Sequence, residues 1–200
     1  MIRFLGACSL ALAFFQAPLC AQVIEFESSG QKYQTLTRSG VTIIFSHVSN
    51  RLHEYAVIHV AVSNGSTAPY VLRPEDFSYV RANGQSIQAA TAQTVVTMLM
   101  QKGNGGDVVR LVTAYEASVY GNTHYKATNG FEQRRQAALA FGGTKLKAAA
   151  AASVLALGTI KLESGDSSDG AVFFPNDGKQ LTSGKLVVRT NTDLFEFNAE

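Results

Sequence analysis

The stretch that decides the fold covers residues 55–64 and reads YAVIHVAVSN. Side chains alternate between the two faces of a strand, so one face carries Ala56, Ile58, Val60 and Val62, and the other Tyr55, Val57, His59 and Ala61. Both rows are almost entirely apolar, and we therefore expect this strand to lie in the middle of a sheet that is covered on both sides. The sequence Asn64-Gly65-Ser66 predicts a turn directly after it.

Shorter strand patterns lie on both sides of this central strand. Residues 32–49 predict two strands joined at Ser39-Gly40, and Asn83-Gly84 predicts a hairpin between residues 77–81 and 85–88. Strand patterns return at residues 159–162, 170–174, 185–190 and 194–197. We expect an α+β fold, in which residues 32–88 and 159–198 form the two halves of an antiparallel β-sandwich of about seven to nine strands.

Between these halves, residues 90–156 change to a helical period. The pattern predicts about four helices: residues 90–102, a second that Asp107 caps and Gly121 ends, residues 131–141, and a fourth from Thr144 to about residue 157. If one sheet system is to close, the strands after this insertion must pair with the strands before it.

Two motifs carry a family resemblance. The run Pro69-Tyr70-Val71-Leu72 with the closing Asn83-Gly84, and the acidic turn and strand of residues 162–174, resemble bacterial exported immunoglobulin-like domains of unknown function. The resemblance implies an immunoglobulin-like sandwich and a place in the cell envelope, and it implies no reaction. The helical insertion departs from the plain sandwich pattern.

Residues 1–21 have the character of a secretory signal peptide, with Arg3 before an apolar run and Ala21 at the expected cleavage site. The apolar run is shorter than the roughly 20 residues that a membrane-spanning helix needs. Both cysteines, Cys8 and Cys20, would leave with this leader, and Cys20 follows the bulky Leu19, which disfavours lipid attachment. We expect a periplasmic or extracellular protein, with residues 22–200 as a single domain and neither a transmembrane nor a lipid anchor.

Charge and acidic residues restrict the possible ligands. The formal net charge of +2 is too small for a nucleic-acid footprint, so we expect no nucleic-acid partner, and no cofactor is indicated. Asp166, Asp169 and Asp177 surround a predicted turn, where they are either solvated turn residues or weak oxygen ligands for a cation such as calcium. His47, His53 and His59 lie close in sequence, but their positions predict no pair of metal ligands.

No catalytic motif occurs in the sequence, so we expect a protein without enzymatic activity. The first hypothesis is an envelope protein whose helical insertion binds a protein partner. Residues 148–154 are mostly alanine, which fits either a buried helix or an oligomerising face. The alternative is a small-ligand binder with a pocket between helices and sheet, lined by Tyr115, Tyr120, Phe131 and Phe141.

Overall fold

The computed structural model describes residues 22–46, 50–120 and 142–199, together with Gln133, Ala137 and Ala140. In this part of the chain it has twelve strands and three α-helices, so the predicted α+β class is confirmed. The sequence predicted about four helices. The helix expected over residues 131–141 falls almost entirely outside the described residues, and three helices are described instead of four.

The elements follow one another along the chain with short connections. The strands are β1 (Ile24–Ser28), β2 (Gln31–Arg38), β3 (Val41–Ser46), β4 (Asn50–Leu52), β5 (Tyr55–Asn64), β6 (Tyr70–Leu72), β7 (Phe77–Arg81), β8 (Ser86–Gln88), β9 (Ile160–Leu162), β10 (Ser167–Pro175), β11 (Gly184–Arg189) and β12 (Leu194–Ala199). A 3₁₀ turn, Pro74–Asp76, precedes β7, and the helices α1 (Ala92–Lys102), α2 (Gly105–Tyr120) and α3 (Thr144–Leu155) lie between β8 and β9.

The strands form two larger antiparallel sheets and one small one. The six-stranded sheet has the order β1-β2-β3-β5-β10, and β4 pairs with the first residues of β5. The four-stranded sheet has the order β12-β11-β7-β8, and β6 pairs with β9. Strands after the helices thus pair with strands before them, as closure of the sheets required: β10 with β5, β11 with β7, and β9 with β6.

Tight turns set the register at the edge of the six-stranded sheet. Ser39 and Gly40 both have positive φ angles of 50° and 80°, as do Ser29 and Gly30 at 52° and 76°. Two central residues with positive φ are typical of the hairpin turns whose twist matches that of the flanking strands. The first pair joins β2 to β3 as predicted, and the second joins β1 to β2.

The central strand β5 separates two hydrophobic cores. Ile58, Val60 and Val62 belong to the core that the six-stranded sheet shares with the four-stranded sheet, where Phe195 and Phe197 are also buried. The opposite face of β5 carries Tyr55 and Val57 into a second core, which the helices cover. The prediction that both faces of this strand are covered is confirmed, and the order of the layers is four-stranded sheet, six-stranded sheet, helices.

A buried amide fixes the end of β5. Asn64 is completely buried, and its Nδ2 donates hydrogen bonds to the carbonyl oxygens of Ala68, Leu162 and Glu163 at 2.8, 3.0 and 3.2 Å. Its Oδ1 accepts a bond from the Ser66 backbone N–H at 3.0 Å. One side chain thereby joins the predicted turn after β5 to the end of β9, which lies on the far side of the helices in sequence.

The helices form a small bundle on the six-stranded sheet. Thr91 caps α1 by accepting the Thr94 N–H at 3.3 Å, and Gly103 ends that helix. A Cβ atom at Gly103 would lie 2.4 Å from the Leu99 carbonyl oxygen, so only glycine fits this position. The alanines of α3 pack against α1 and α2. The helices share the second core with Val57 and Phe173 of the six-stranded sheet, and this core joins the bundle to the sheet.

Candidate functional site

A cleft of about 650 Å³ opens where the helices meet the end of the six-stranded sheet. One wall is the outer face of α2. The other is formed by β4 and the turn that follows it, the start of β2, and the loop after β10. The residues that line the cleft are Gln31, Asn50, Arg51, His53, Val109, Arg110, Thr113, Ala114, Ala117, Gly178 and Gln180.

The helical wall begins at a reciprocal cap. Asn104 Oδ1 accepts hydrogen bonds from the backbone N–H groups of Gly106 and Asp107 at 2.8 and 3.3 Å. In return, Asp107 Oδ2 accepts the Asn104 N–H at 2.8 Å. The sequence predicts Asp107 as the capping residue of α2, and this is wrong: Asn104 is the N-cap residue. Asp107 lies in the first turn of the helix and accepts the hydrogen bond from the Asn104 backbone N–H.

Asp107 connects this cap to the cleft through His53. The carboxylate is completely buried, and its Oδ2 lies 2.8 Å from His53 Nε2. An ionised carboxylate can only accept, so Nε2 carries the hydrogen and Nδ1 is the ring nitrogen left for other contacts. The His53 side chain is 24% exposed and lines the cleft, so a buried charge is held directly behind its wall.

The second carboxylate oxygen of Asp107, Oδ1, has fewer and weaker contacts than Oδ2. Within the described residues Oδ1 accepts no hydrogen bond, and the nearest cation is Arg110 Nη1 at 3.9 Å. Burial of a carboxylate is costly unless charges and donors compensate for it. The compensation here comes from the helix N-terminus, the His53 ring and Arg110, which together fix the position of two side chains that line the cleft.

The turn that carries His53 is locked against the loop after β10. His53 has a positive φ of 50°, which is uncommon for a residue other than glycine. The Asn176 N–H donates to the Glu54 carbonyl at 2.8 Å, and a Cβ atom at Gly178 would lie 2.8 Å from the His53 carbonyl oxygen. The loop therefore sits so close to the turn that Gly178, with its own φ of 69°, has no room for a side chain.

Asn176 holds the loop in shape. It is buried, and its Nδ2 donates to the carbonyl oxygens of Lys179 and Gln180 at 3.0 Å each. Its Oδ1 accepts a hydrogen bond from Arg81 of β7. The floor of the cleft is thus tied to the central sheet and to the four-stranded sheet, and we regard it as a preformed surface.

The cleft is positively charged. Arg51 and Arg110 stand on its two opposite walls, and Arg51 Nη1 donates to the Gly178 carbonyl at 3.4 Å. Among the described residues that form its lining, there is no aspartate or glutamate. Asp107 lies behind the wall and faces His53 and Arg110.

A second polar group lies deeper, between the sheet and α2. His59 of β5 is only 6% exposed, and its ring centroid is 6.0 Å from that of Tyr115 in an edge-on arrangement. Burial lowers the pKa of His59 to about 4. Asp169 of β10 is buried on the same face of the sheet, because it pairs with Ala61 while His59 pairs with Ala171. This polar layer interrupts an otherwise apolar interface.

The aromatic pocket expected from the sequence differs from the observed cleft. Tyr115 is 2% exposed and belongs to the core between helices and sheet, on the face of α2 that turns away from the cleft. The side chain of Tyr120 and the residues Phe131 and Phe141 lie outside the described part of the chain. The cleft is formed instead by residues one turn apart on the outer face of the same helix.

The three acids proposed for a cation occupy three different environments. Asp166 Oδ2 accepts the Glu163 N–H at 3.1 Å and so closes the turn before β10. Asp169 is buried beneath the helices, and Asp177 lies in the loop beyond the other end of β10. In the described ranges no group of three or more His, Cys, Asp or Glu residues could hold a metal ion.

The alanine-rich helix α3 is largely used inside the chain. Ala148, Ala149, Ala151 and Ala152 are buried in the second core, and a Cβ atom at Gly103 would approach Ala148 Cβ to 3.2 Å. The small side chains thus permit close packing of α1 against α3. For the described helices, none combines the length and apolar character needed to cross a bilayer.

The residues that sequence reasoning missed are those that build the cleft. The sequence pattern indicates His53 only as a possible metal ligand and Asp107 only as a helix cap, and it gives no signal for Arg51 or Arg110. His53 and Asp107 are 54 residues apart in sequence, and no spacing rule connects them. The chain matches no family model, no curated protein and no solved structure.

Proposed function

We propose that this protein is an exported binding protein without enzymatic activity, and that the cleft beside α2 receives a small-molecule ligand. The observation that carries the proposal is a cleft of about 650 Å³ whose walls are fixed by hydrogen bonds. Ligand sites typically measure about 300–1,000 Å³ and are largely preformed. Of the two hypotheses drawn from the sequence, the geometry favours the small-ligand binder, at a different position from the predicted aromatic pocket.

The lining of the cleft suits a small ligand with mixed polarity. Val109, Ala114 and Ala117 form an apolar strip along α2, and Gln31, Asn50, Thr113 and Gln180 surround it with hydrogen-bonding groups. Because the His53 turn and the loop after β10 are already fixed by hydrogen bonds, these segments lose little conformational entropy when a ligand binds.

Blocking the cleft tests the proposal. Ala117 is exposed on the cleft face of α2, so Ala117→Trp would fill the cleft without disturbing the core. Thr97 is exposed on α1 and does not line the cleft, which makes Thr97→Trp the matched control. Thermal unfolding is measured with a panel of sugars, amino acids, dicarboxylates and phosphate esters. We expect at least one compound to raise the Tm of the wild type and T97W but not of A117W.

The proposal fails if no compound separates A117W from the control. Mass spectrometry of small molecules released by denaturing the freshly purified protein adds a second readout. A compound that co-purifies with the wild type and T97W, but not with A117W, supports the proposal.

A second candidate function is docking of a protein partner on the helical layer. Among the side chains that the structure describes, each helix exposes one large apolar group: Met100 on α1 at 47%, Val109 on α2 at 64% and Leu146 on α3 at 45%. Met100→Glu combined with Leu146→Glu would remove apolar surface outside the cleft. Loss of a cross-linked partner from this variant, with retention by Gln93→Glu, would favour docking over ligand binding.

We further propose that the two larger sheets form an immunoglobulin-like sandwich and that residues 1–21 are a cleaved leader. The shared core of two antiparallel sheets supports the first proposal, and the apolar run after Arg3 supports the second. Mass spectrometry of the protein recovered from the periplasm or medium is expected to show a first residue close to Gln22. Retention of residues 1–21 would contradict the cleavage.

A further inference from the structure

The charge of the cleft indicates what kind of ligand it takes. Resting on the proposed function, we infer that the ligand is a small organic anion, and that Arg51 and Arg110 hold its carboxylate or phosphate group. These two guanidinium groups stand on opposite walls of one cleft whose described lining contains no acid. The whole chain has a net charge of only +2, so the positive charge of the cleft is a local feature.

Both arginines keep hydrogen-bond donors for a ligand. A guanidinium carries five N–H groups in a planar fork that matches a carboxylate or phosphate. Arg51 places one of its nitrogens on the Gly178 carbonyl at 3.4 Å, and Arg110 has one at 3.9 Å from Asp107. These contacts position the two side chains while most of their donors stay available.

Asp107 and His53 add a fixed polar edge between the arginines. Because Asp107 holds His53 Nε2, the orientation of the ring that lines the cleft is fixed. Asp107 lies 3.9 Å from Arg110 and offsets one of the two positive charges, so the arginines and this carboxylate together leave one net positive charge at the cleft.

The size and the apolar strip point to an organic anion larger than a free inorganic ion. Val109, Ala114 and Ala117 would contact a carbon skeleton along α2, while the arginines bind the charged end. The cleft of about 650 Å³ has room for both parts.

The experiment compares charged compounds with neutral analogues of the same shape. Titration calorimetry at low ionic strength uses succinate and succinamide, glycerol 3-phosphate and glycerol, and inorganic phosphate alone. The variants are Arg51→Gln and Arg110→Gln. Arg38→Gln is the matched control, because Arg38 lies at the opposite end of β2 from Gln31, roughly 23 Å away along the strand. Thermal unfolding without ligand checks that each variant is folded.

We expect the wild type to bind at least one of the organic anions, and to bind it more tightly than its neutral analogue and than inorganic phosphate. R51Q and R110Q should each weaken binding about ten- to a hundredfold, as for the loss of a charged hydrogen bond. R38Q should change it by no more than about twofold. Succinate and glycerol 3-phosphate distinguish a carboxylate site from a phosphate site.

Three results would overturn the inference, and the third would overturn the proposed function as well. If a neutral analogue binds as well as its anion and A117W abolishes that binding, the cleft is a ligand site but not an anion site, and only this inference fails. If R38Q weakens binding as much as R51Q, the effect is one of general charge rather than of contact. If A117W abolishes the binding of none of these compounds and of no compound in the wider panel, both this inference and the proposed function fail.

Discussion

The buried His59 makes the free energy of unfolding of the protein depend on pH. Its imidazole is buried between β5 and α2, and burial lowers its pKa from 6.5 to about 4. The unfolded chain therefore binds a proton between pH 6.5 and pH 4 that the folded protein does not, so stability falls as the pH falls through this range. At 1.36 kcal/mol per pKa unit, the loss between pH 7.5 and pH 4 approaches about 3 kcal/mol, of which about 2 kcal/mol is lost by pH 5.

The substitution His59→Leu removes the titrating ring while keeping an apolar side chain of similar volume. Urea unfolding of the wild type and the variant at intervals from pH 7.5 to pH 4 isolates the contribution of His59, since other titrating groups are common to both. We expect the wild type to lose about 3 kcal/mol more than H59L over this range. Tyr115→Phe is the control, because it keeps the aromatic ring that lies 6.0 Å from His59.

Other charged groups around His59 define the result that would refute this reasoning. Among the described residues, the titratable groups on this face are Tyr55 of β5, Tyr115 of α2 and the buried Asp169 of β10. If Asp169 accepts the proton or stabilises a charged His59, the two stability curves will run parallel. Parallel curves for the wild type and H59L between pH 7.5 and pH 4 would therefore show that His59 is not the group responsible.

Three further substitutions test the framework of the cleft and of the fold by urea unfolding. Asp107→Ala removes the acceptor for the α2 cap and for His53 and should cost about 2–3 kcal/mol; a loss below about 0.5 kcal/mol would contradict the pairing. Gly178→Ala should cost more than Gly84→Ala, because both have positive φ but only Gly178 would meet a neighbouring carbonyl at 2.8 Å; equal losses would contradict the close packing. Asn64→Ala removes the donor to three carbonyl oxygens, of which that of Leu162 is buried, and should cost about 2 kcal/mol; a loss below about 0.5 kcal/mol would show that water replaces the amide.

The sheet framework was predictable where hydrophobic periods and turn residues agree. The double apolar row of β5, the Ser39-Gly40 turn and the Asn83-Gly84 hairpin each predicted a feature that is present. β1 and β4 were missed for different reasons. β1 is an exposed edge strand in which Ile24 is 61% exposed, so its pattern is mostly polar. β4 has only three residues, too few to show a period.

The candidate site was much less predictable. Its chemistry depends on His53 and Asp107, which come together only because the start of α2 lies against the turn before β5. In the sequence, Asp107 is fully explained as a helix cap, so nothing indicates its contact with His53. The glycines after Asn104 predict a break between helices and hide its role as the actual N-cap. Local patterns predict caps and turns, whereas a contact across 54 residues requires the tertiary fold.

The central claim is that a small organic anion binds in the cleft between α2 and the turn that follows β4. The most direct measurement is the change in backbone amide NMR shifts of the ¹⁵N-labelled protein on titration with the anion that calorimetry selects. We predict that the largest changes lie at Arg51, His53, Arg110 and Thr113, and that A117W loses them. Changes centred on another face of the protein, or unchanged in A117W, would contradict the claim.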